Sequence, residues 1–107
     1  MILTIYQITK VFPKDEQFCL TSQLRRAATS STSKIAEGFS RNSYKEKSQF
    51  YSVALGSVTE VQNQLLIASD LKYLSPEEFQ SIAEQSILVN KLLNGLIKRS
   101  KTLIRDS

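Results

Sequence analysis

The chain has 107 residues, with 41% apolar and 22% charged side chains, three Gly, two Pro, one Cys, no His and a formal charge of +4. That length holds one domain with a modest core, and the apolar fraction is too high for a disordered chain. A single Cys and no His exclude a disulfide framework, a zinc site built from ordinary ligands, and the usual base for a Ser or Cys nucleophile.

Four helical segments account for nearly the whole chain. The first runs from Ile2 to about Phe12, where Pro13 stops it. Its β-branched residues leave the local preference between helix and strand open, and the spacing of Ile5, Ile8 and Phe12 favours helix. A charged connector, Pro13 to Phe18, follows. The second segment spans 20–39, with an inward stripe of Leu20, Leu24, Ala27 or Ala28, Ser31, Ile35 and Phe39 whose small middle allows a close neighbour. Gly38 is expected to end it, and Ser40 to Asn42 to make the turn.

The third segment, 43–71, opens with Ser43 and Glu46 at capping-box spacing and carries Phe50, Ala54, Ser57, Val58, Val61, Leu65 and Ala68 on one face. The fourth, 76–104, has Ser75 as cap, Pro76 in the first helical position and Glu78 to close the box. Its Phe79, Ile82, Ser86, Val89, Leu93, Leu96, Ser100 and Leu103 alternate at three and four residues, and Ala83, Ile87, Asn90 and Ile97 widen that seam. Short connections make successive helices antiparallel, so the expected fold is all-α, a single up-down antiparallel four-helix bundle over 1–107 with a short first helix.

The charge is unevenly distributed. Arg25, Arg26, Lys34, Arg41, Lys45 and Lys47 face only Glu37 and Glu46 in their stretch. Lys91, Lys98, Arg99, Lys101 and Arg105 have no acid among them, whereas Asp70, Glu77, Glu78 and Glu84 are accompanied by Lys72 alone. The longest uncharged run, Ser48 to Thr59, has 12 residues, against the roughly 20 that a membrane span needs. The apolar N-terminus has no basic leader or small-residue cleavage site, and with the free Cys19 this makes the cytoplasm the expected location.

Little here points to catalysis, and neither a cofactor nor a metal is expected. Glu37 and Glu46 lack the His that a carboxylate metal motif requires, and Cys19 has no CxxC partner. The three glycines are too far apart for a phosphate loop, and Tyr6, Tyr44, Tyr51 and Tyr73 form no aromatic and basic ribbon. Arg25 and Arg26 have two readings: contacts to nucleic-acid phosphates or an acidic partner, or ion pairs with carboxylates such as Glu37 or Glu60 between helices or subunits. The ion-pair reading is favoured. Lys98, Arg99, Lys101 and Arg105, with Lys34 and Arg41, are the better candidates for binding nucleic acid or a partner, although the helix dipole also favours cations at the end of the fourth helix.

The motifs Leu20-Thr21-Ser22-Gln23-Leu24-Arg25-Arg26-Ala27-Ala28 and Ile35-Ala36-Glu37-Gly38, then Arg41, Ser43, Lys45 and Glu46, Ala54-Leu55-Gly56-Ser57, Glu60, Gln64-Leu65 and Ile67-Ala68 resemble a known family. These are the four-helix-bundle proteins named for the intervening sequences of bacterial 23S ribosomal RNA genes. The resemblance is close from about Phe12 to Leu74 and looser beyond. It implies a ring-like homopentamer without catalytic activity. It also implies a distant similarity to the accessory variability protein of diversity-generating retroelements, whose basic pentameric barrel binds nucleic acid and a reverse transcriptase. The chain departs from the family at Thr32 and Lys34, where Pro and Asn are usual, and in a first helix expected to lack its opening turns. Together these readings describe a non-enzymatic homo-oligomer that binds RNA, DNA or a nucleic-acid-handling protein through basic patches. The alternative is a structural or protein-protein scaffold.

Overall fold

The computed structural model describes residues 1–106, with side chains as far as Ile104, so the Arg105 side chain lies outside the described residues. Four helices follow in order: α1 (Ile2–Thr9), α2 (Leu20–Ser40), α3 (Tyr44–Asp70) and α4 (Pro76–Asp106), with one 3₁₀ turn at Lys14–Glu16 between the first two. The result is an all-helical bundle about 51 Å long in which α3 packs against α2 on one side and α4 on the other. The short α1 lies across one end, touching both α2 and α4, which do not approach each other directly.

Small side chains bring α2 and α3 together. Ala27, Ala28 and Ser31 of α2 are buried, as is Ala54 of α3, and the Ser57 hydroxyl donates to Ser30 Oγ at 3.1 Å across the seam. Ser31 has no exposed surface, and its hydroxyl donates to the Ala28 carbonyl at 2.7 Å, so its burial strands no polar group. Two apolar clusters fill the bundle. One joins α1 to Leu20, Leu24, Val61, Leu65, Ala68 and Ile82. The other joins Tyr51, Ala54, Val58 and Leu93, with Ile35, Val89, Leu96 and Ile97 around them. The predicted seam of α4 holds along its length: Ile82, Ser86, Leu93 and Ser100 are buried, and Phe79, Val89, Leu96 and Leu103 half-buried.

The ends of the helices differ from expectation in two places. First, α1 stops at Thr9, three residues before Phe12. Pro13 disfavours helical backbone at Phe12, and the chain tightens there into bonds from Val11 N to Ile8 O and from Phe12 N to Thr9 O. Phe12 is still buried, its ring centroid 5.4 Å from that of Tyr73.

Second, Gly38 does not end α2, which continues to Ser40. Its function is packing, because the Tyr51 ring lies directly on it, and a Cβ would sit 2.8 Å from Cδ1 of that ring. Only the stripe members nearest this end differ: Tyr51 is buried where Phe50 was expected and Phe39 is more exposed than buried, while Leu20, Leu24, Ala27, Ala28 and Ser31 of α2 and Ala54, Val58, Val61, Leu65 and Ala68 of α3 are buried as expected. The end of α3 falls within a residue of the expected position and is made without a glycine. Lys72 adopts φ 62°, Tyr73 N donates to Ala68 O at 2.9 Å, and the reversal is a Schellman-type cap on a lysine. The α4 start matches expectation, with reciprocal bonds from Ser75 N to Glu78 Oε1 at 2.9 Å and from Glu78 N to Ser75 Oγ at 3.1 Å.

Replacing Gly38 by Ala therefore forces the Tyr51 ring off the α2 backbone and should cost about 1–3 kcal/mol in urea denaturation. The opposite sign is expected for Lys72→Gly. Relieving a left-handed non-glycine residue outweighs the added freedom of the unfolded chain, for a gain of roughly 0.5–1 kcal/mol.

Candidate nucleic-acid interface

The helix register determines where the charges go. Gln62 donates to Ser86 Oγ at 3.2 Å and Leu93 packs with Tyr51, Ala54 and Val58, so α4 runs antiparallel to α3 with its later turns beside the first turns of α3. Ile35 joins that cluster and Gly38 lies under Tyr51, so the end of α2 is there too. Lys34, Arg41, Lys45 and Lys47 from one basic stretch thereby share an end of the bundle with Lys98, Arg99 and Lys101 from the other. The acids Asp15, Glu16, Asp70, Glu77 and Glu78 lie toward the opposite end, in the connectors and helix ends around α1 and the α3–α4 turn, where Lys10, Lys14 and Lys72 accompany them. There, burial and then the adjacent Glu16, through its charge and a hydrogen bond, push the Tyr73 phenol above its ordinary value.

Within the basic end the cations have different local partners. Lys47 is a cap: its Nζ donates to the carbonyls of Gly38 at 3.2 Å and Phe39 at 2.9 Å, satisfying the last turn of α2 from the neighbouring helix. Lys34 and Arg41 flank Phe50, at 5.7 and 4.6 Å from its ring centroid, with Glu37 between them. Glu37 accepts from Lys34 at 3.3 Å and lies 3.9 Å from Arg41 Nη2. Phe50 thus holds two cations near the surface, and one carboxylate offsets part of their charge. Lys45, Lys98, Arg99 and Lys101 are exposed and have no ion pair among the described residues.

Arg25 and Arg26 occupy the other half of α2. The carboxylate partners favoured from the sequence are not theirs within the chain, because Glu37 is taken by Lys34 and Arg41, and no ion pair reaches Glu60 among the described residues. Arg25 turns toward α1, where its Nε donates to Thr9 Oγ1 at 2.9 Å and its guanidinium stacks 4.6 Å from the Tyr6 ring centroid. Thr9 is buried, and its hydroxyl donates to Ile5 O at 2.8 Å, which leaves an oxygen lone pair for Arg25. A search of the sequence for acids misses this pairing because the acceptor is a threonine 16 residues away. The Lys47 cap and the Phe50 platform are likewise invisible until the register is known.

Among the described residues no group of His, Cys, Asp or Glu could hold a metal ion, and no helix is long and apolar enough to cross a membrane.

These features define a small all-helical bundle with an excess of cations gathered toward one end. Residues 1–95 match the model of the 23S rRNA-intervening sequence protein family, and the chain belongs to that family. Among solved structures it is similar to a protein of unknown function from the S23 ribosomal protein family of Bacteroides thetaiotaomicron VPI-5482, with 26% identity and a TM-score of 0.80 over 91% of this chain and 88% of that one. No curated protein matches the chain significantly.

The different environments of neighbouring lysines are measurable. Lys47→Met removes two charged hydrogen bonds to the α2 terminus and should lower stability by about 1–3 kcal/mol, whereas Lys45→Met should stay within roughly 0.5 kcal/mol of the parent in the same urea titration.

Proposed function

We propose that the protein is a non-enzymatic, homo-oligomeric binding protein that engages RNA or DNA through its basic end. The observation that carries this reading is the convergence of two basic stretches, separated by about fifty residues of sequence, at one end of the bundle. Lys98, Arg99 and Lys101 of α4, with Lys34 and Arg41 at the end of α2, present cations to a phosphate backbone. Lys and Arg that neutralise phosphates release condensed counterions, so such binding is steeply salt-dependent and indifferent to base sequence. The membership of the chain in a family named for ribosomal RNA intervening sequences is consistent with a polyanionic partner.

Assembly has its own support. Val53 and Leu66 of α3 and Leu88 and Leu92 of α4 are each more than half exposed. Leu66 and Ile87 also border a small apolar groove of about 170 Å³ between these helices. Apolar surface of this kind is normally covered by a partner, and a second copy covers it in our reading, with the pentamer implied by the family resemblance as the expected ring. The same surface favours the second reading, a protein-protein scaffold in which the basic end has no nucleic-acid role.

Anisotropy titrations with a labelled single-stranded RNA from 50 to 200 mM salt separate the two. Lys98→Ala/Arg99→Ala/Lys101→Ala should weaken binding and lower the log–log salt slope by about 2, at roughly 0.7 for each phosphate that is no longer neutralised. Light scattering on the same samples should give an unchanged particle larger than one chain. No RNA binding by the parent, or an unchanged slope in the variant, would transfer the argument to the scaffold.

A further inference from the structure

Arg25 is fixed in place but paired with no carboxylate. The Tyr6 ring supports one face of its guanidinium and Thr9 takes its Nε, so the four N–H groups on Nη1 and Nη2 face a groove of about 610 Å³ between α1, the connector and α2. Arg26 lines the same groove, and no Asp or Glu does. Thr21 is a second sign of a ligand. It is 94% buried (6% exposed), lines the groove, and its hydroxyl has no hydrogen-bond partner among the described residues. Its oxygen is not sealed from solvent, so the hydroxyl opens onto the groove and not into the core. Ser22 and Ser33 add further hydroxyls to the lining, and Phe18 is 87% exposed there.

Two guanidinium forks and several hydroxyl donors exceed what one carboxylate can use. They suit a phosphate monoester, which offers three acceptor oxygens and nearly two negative charges. The exposed Phe18 ring offers a face for a planar group attached to that phosphate. We propose that this groove binds a phosphate monoester carrying a nucleobase, with the phosphate on Arg25, Arg26 and Thr21 and the base against Phe18. A free nucleoside 5′-monophosphate and the 5′-phosphorylated end of a single strand share that chemistry. The site is separate from the basic end and stands or falls without it.

The test is calorimetry on the full chain at constant ionic strength with AMP, adenosine, inorganic phosphate, and oligoadenylate bearing either a 5′-phosphate or a 5′-hydroxyl. AMP should bind saturably, adenosine should not, and inorganic phosphate should bind at least about tenfold more weakly than AMP. Thr21→Val, which keeps the shape of the side chain, and Arg25→Lys, which keeps the charge but loses the fork, should each weaken AMP about tenfold while circular dichroism stays that of the parent. Lys98→Ala/Arg99→Ala/Lys101→Ala should leave AMP binding unchanged, so a failure of the basic-end reading is seen separately, with the 5′-hydroxyl strand. Competition by the 5′-phosphorylated strand alone assigns the site to strand ends, and AMP binding without that competition assigns it to the free nucleotide. The proposal is overturned if AMP binds no better than adenosine, or if neither Thr21→Val nor Arg25→Lys weakens it. It is also overturned if AMP fails to bind while Arg25→Lys and Glu77→Gln/Glu78→Gln both reduce the particle size, because the groove would then seat the acidic segment of a second copy.

Discussion

The close approach of α2 to α3 is the constraint on which the rest of the molecule depends. Alanine, serine and glycine at the seam let the two backbones approach, and the Tyr51 ring on Gly38 and the Ser57–Ser30 bond set their register. Once α3 is fixed, Leu93 and Ile82 set α4 against it, and every charge in the chain acquires a position along the rod. A bundle seamed with larger residues would hold its helices farther apart and leave Tyr51 without a flat surface to cover.

The two halves of α2 use the same residue type in different ways. Near its end, Arg41 lies against Phe50 and beside Glu37, a partly neutralised surface arrangement of modest energy. Near its start, Arg25 is held by a hydroxyl and a ring, neither of which cancels its charge. The first arrangement shares its charge with a neighbour, and the second keeps its full charge in a defined direction. This contrast comes from α1, a helix of only eight residues that supplies both Tyr6 and Thr9.

Much of the fold is legible in the sequence because its signals are local. Ser75, Pro76 and Glu78 announce the start of α4, and the three-and-four spacing from Phe79 to Leu103 gives the buried face. What cannot be read there depends on residues distant in sequence. A glycine near the end of a helical pattern resembles a terminator, and only Tyr51, thirteen residues later, makes Gly38 a packing surface. A lysine in left-handed backbone gives no composition cue, so nothing in the sequence announces the cap at Lys72. For the site, the basic residues themselves can be named from the sequence. Their convergence is implicit in the expected antiparallel order, whereas the partners of Arg25 cannot be read because the expected acceptors are acids.

The segregation of charge along the rod has a consequence for how the molecule travels. Lys98, Arg99, Lys101, Lys34 and Arg41 lie toward one end, whereas toward the other Asp15, Glu16, Asp70, Glu77 and Glu78 are matched by Lys10, Lys14, Lys72, Arg25 and Arg26, so the net positive charge sits off-centre along the 51 Å axis. In the field of a nearby polyanion a torque acts before the two surfaces touch, turning the cationic tip forward. The approach is therefore oriented. The trailing end, close to electrically neutral, is not drawn to that surface, and the groove at Arg25 is left in solvent while the leading end is occupied.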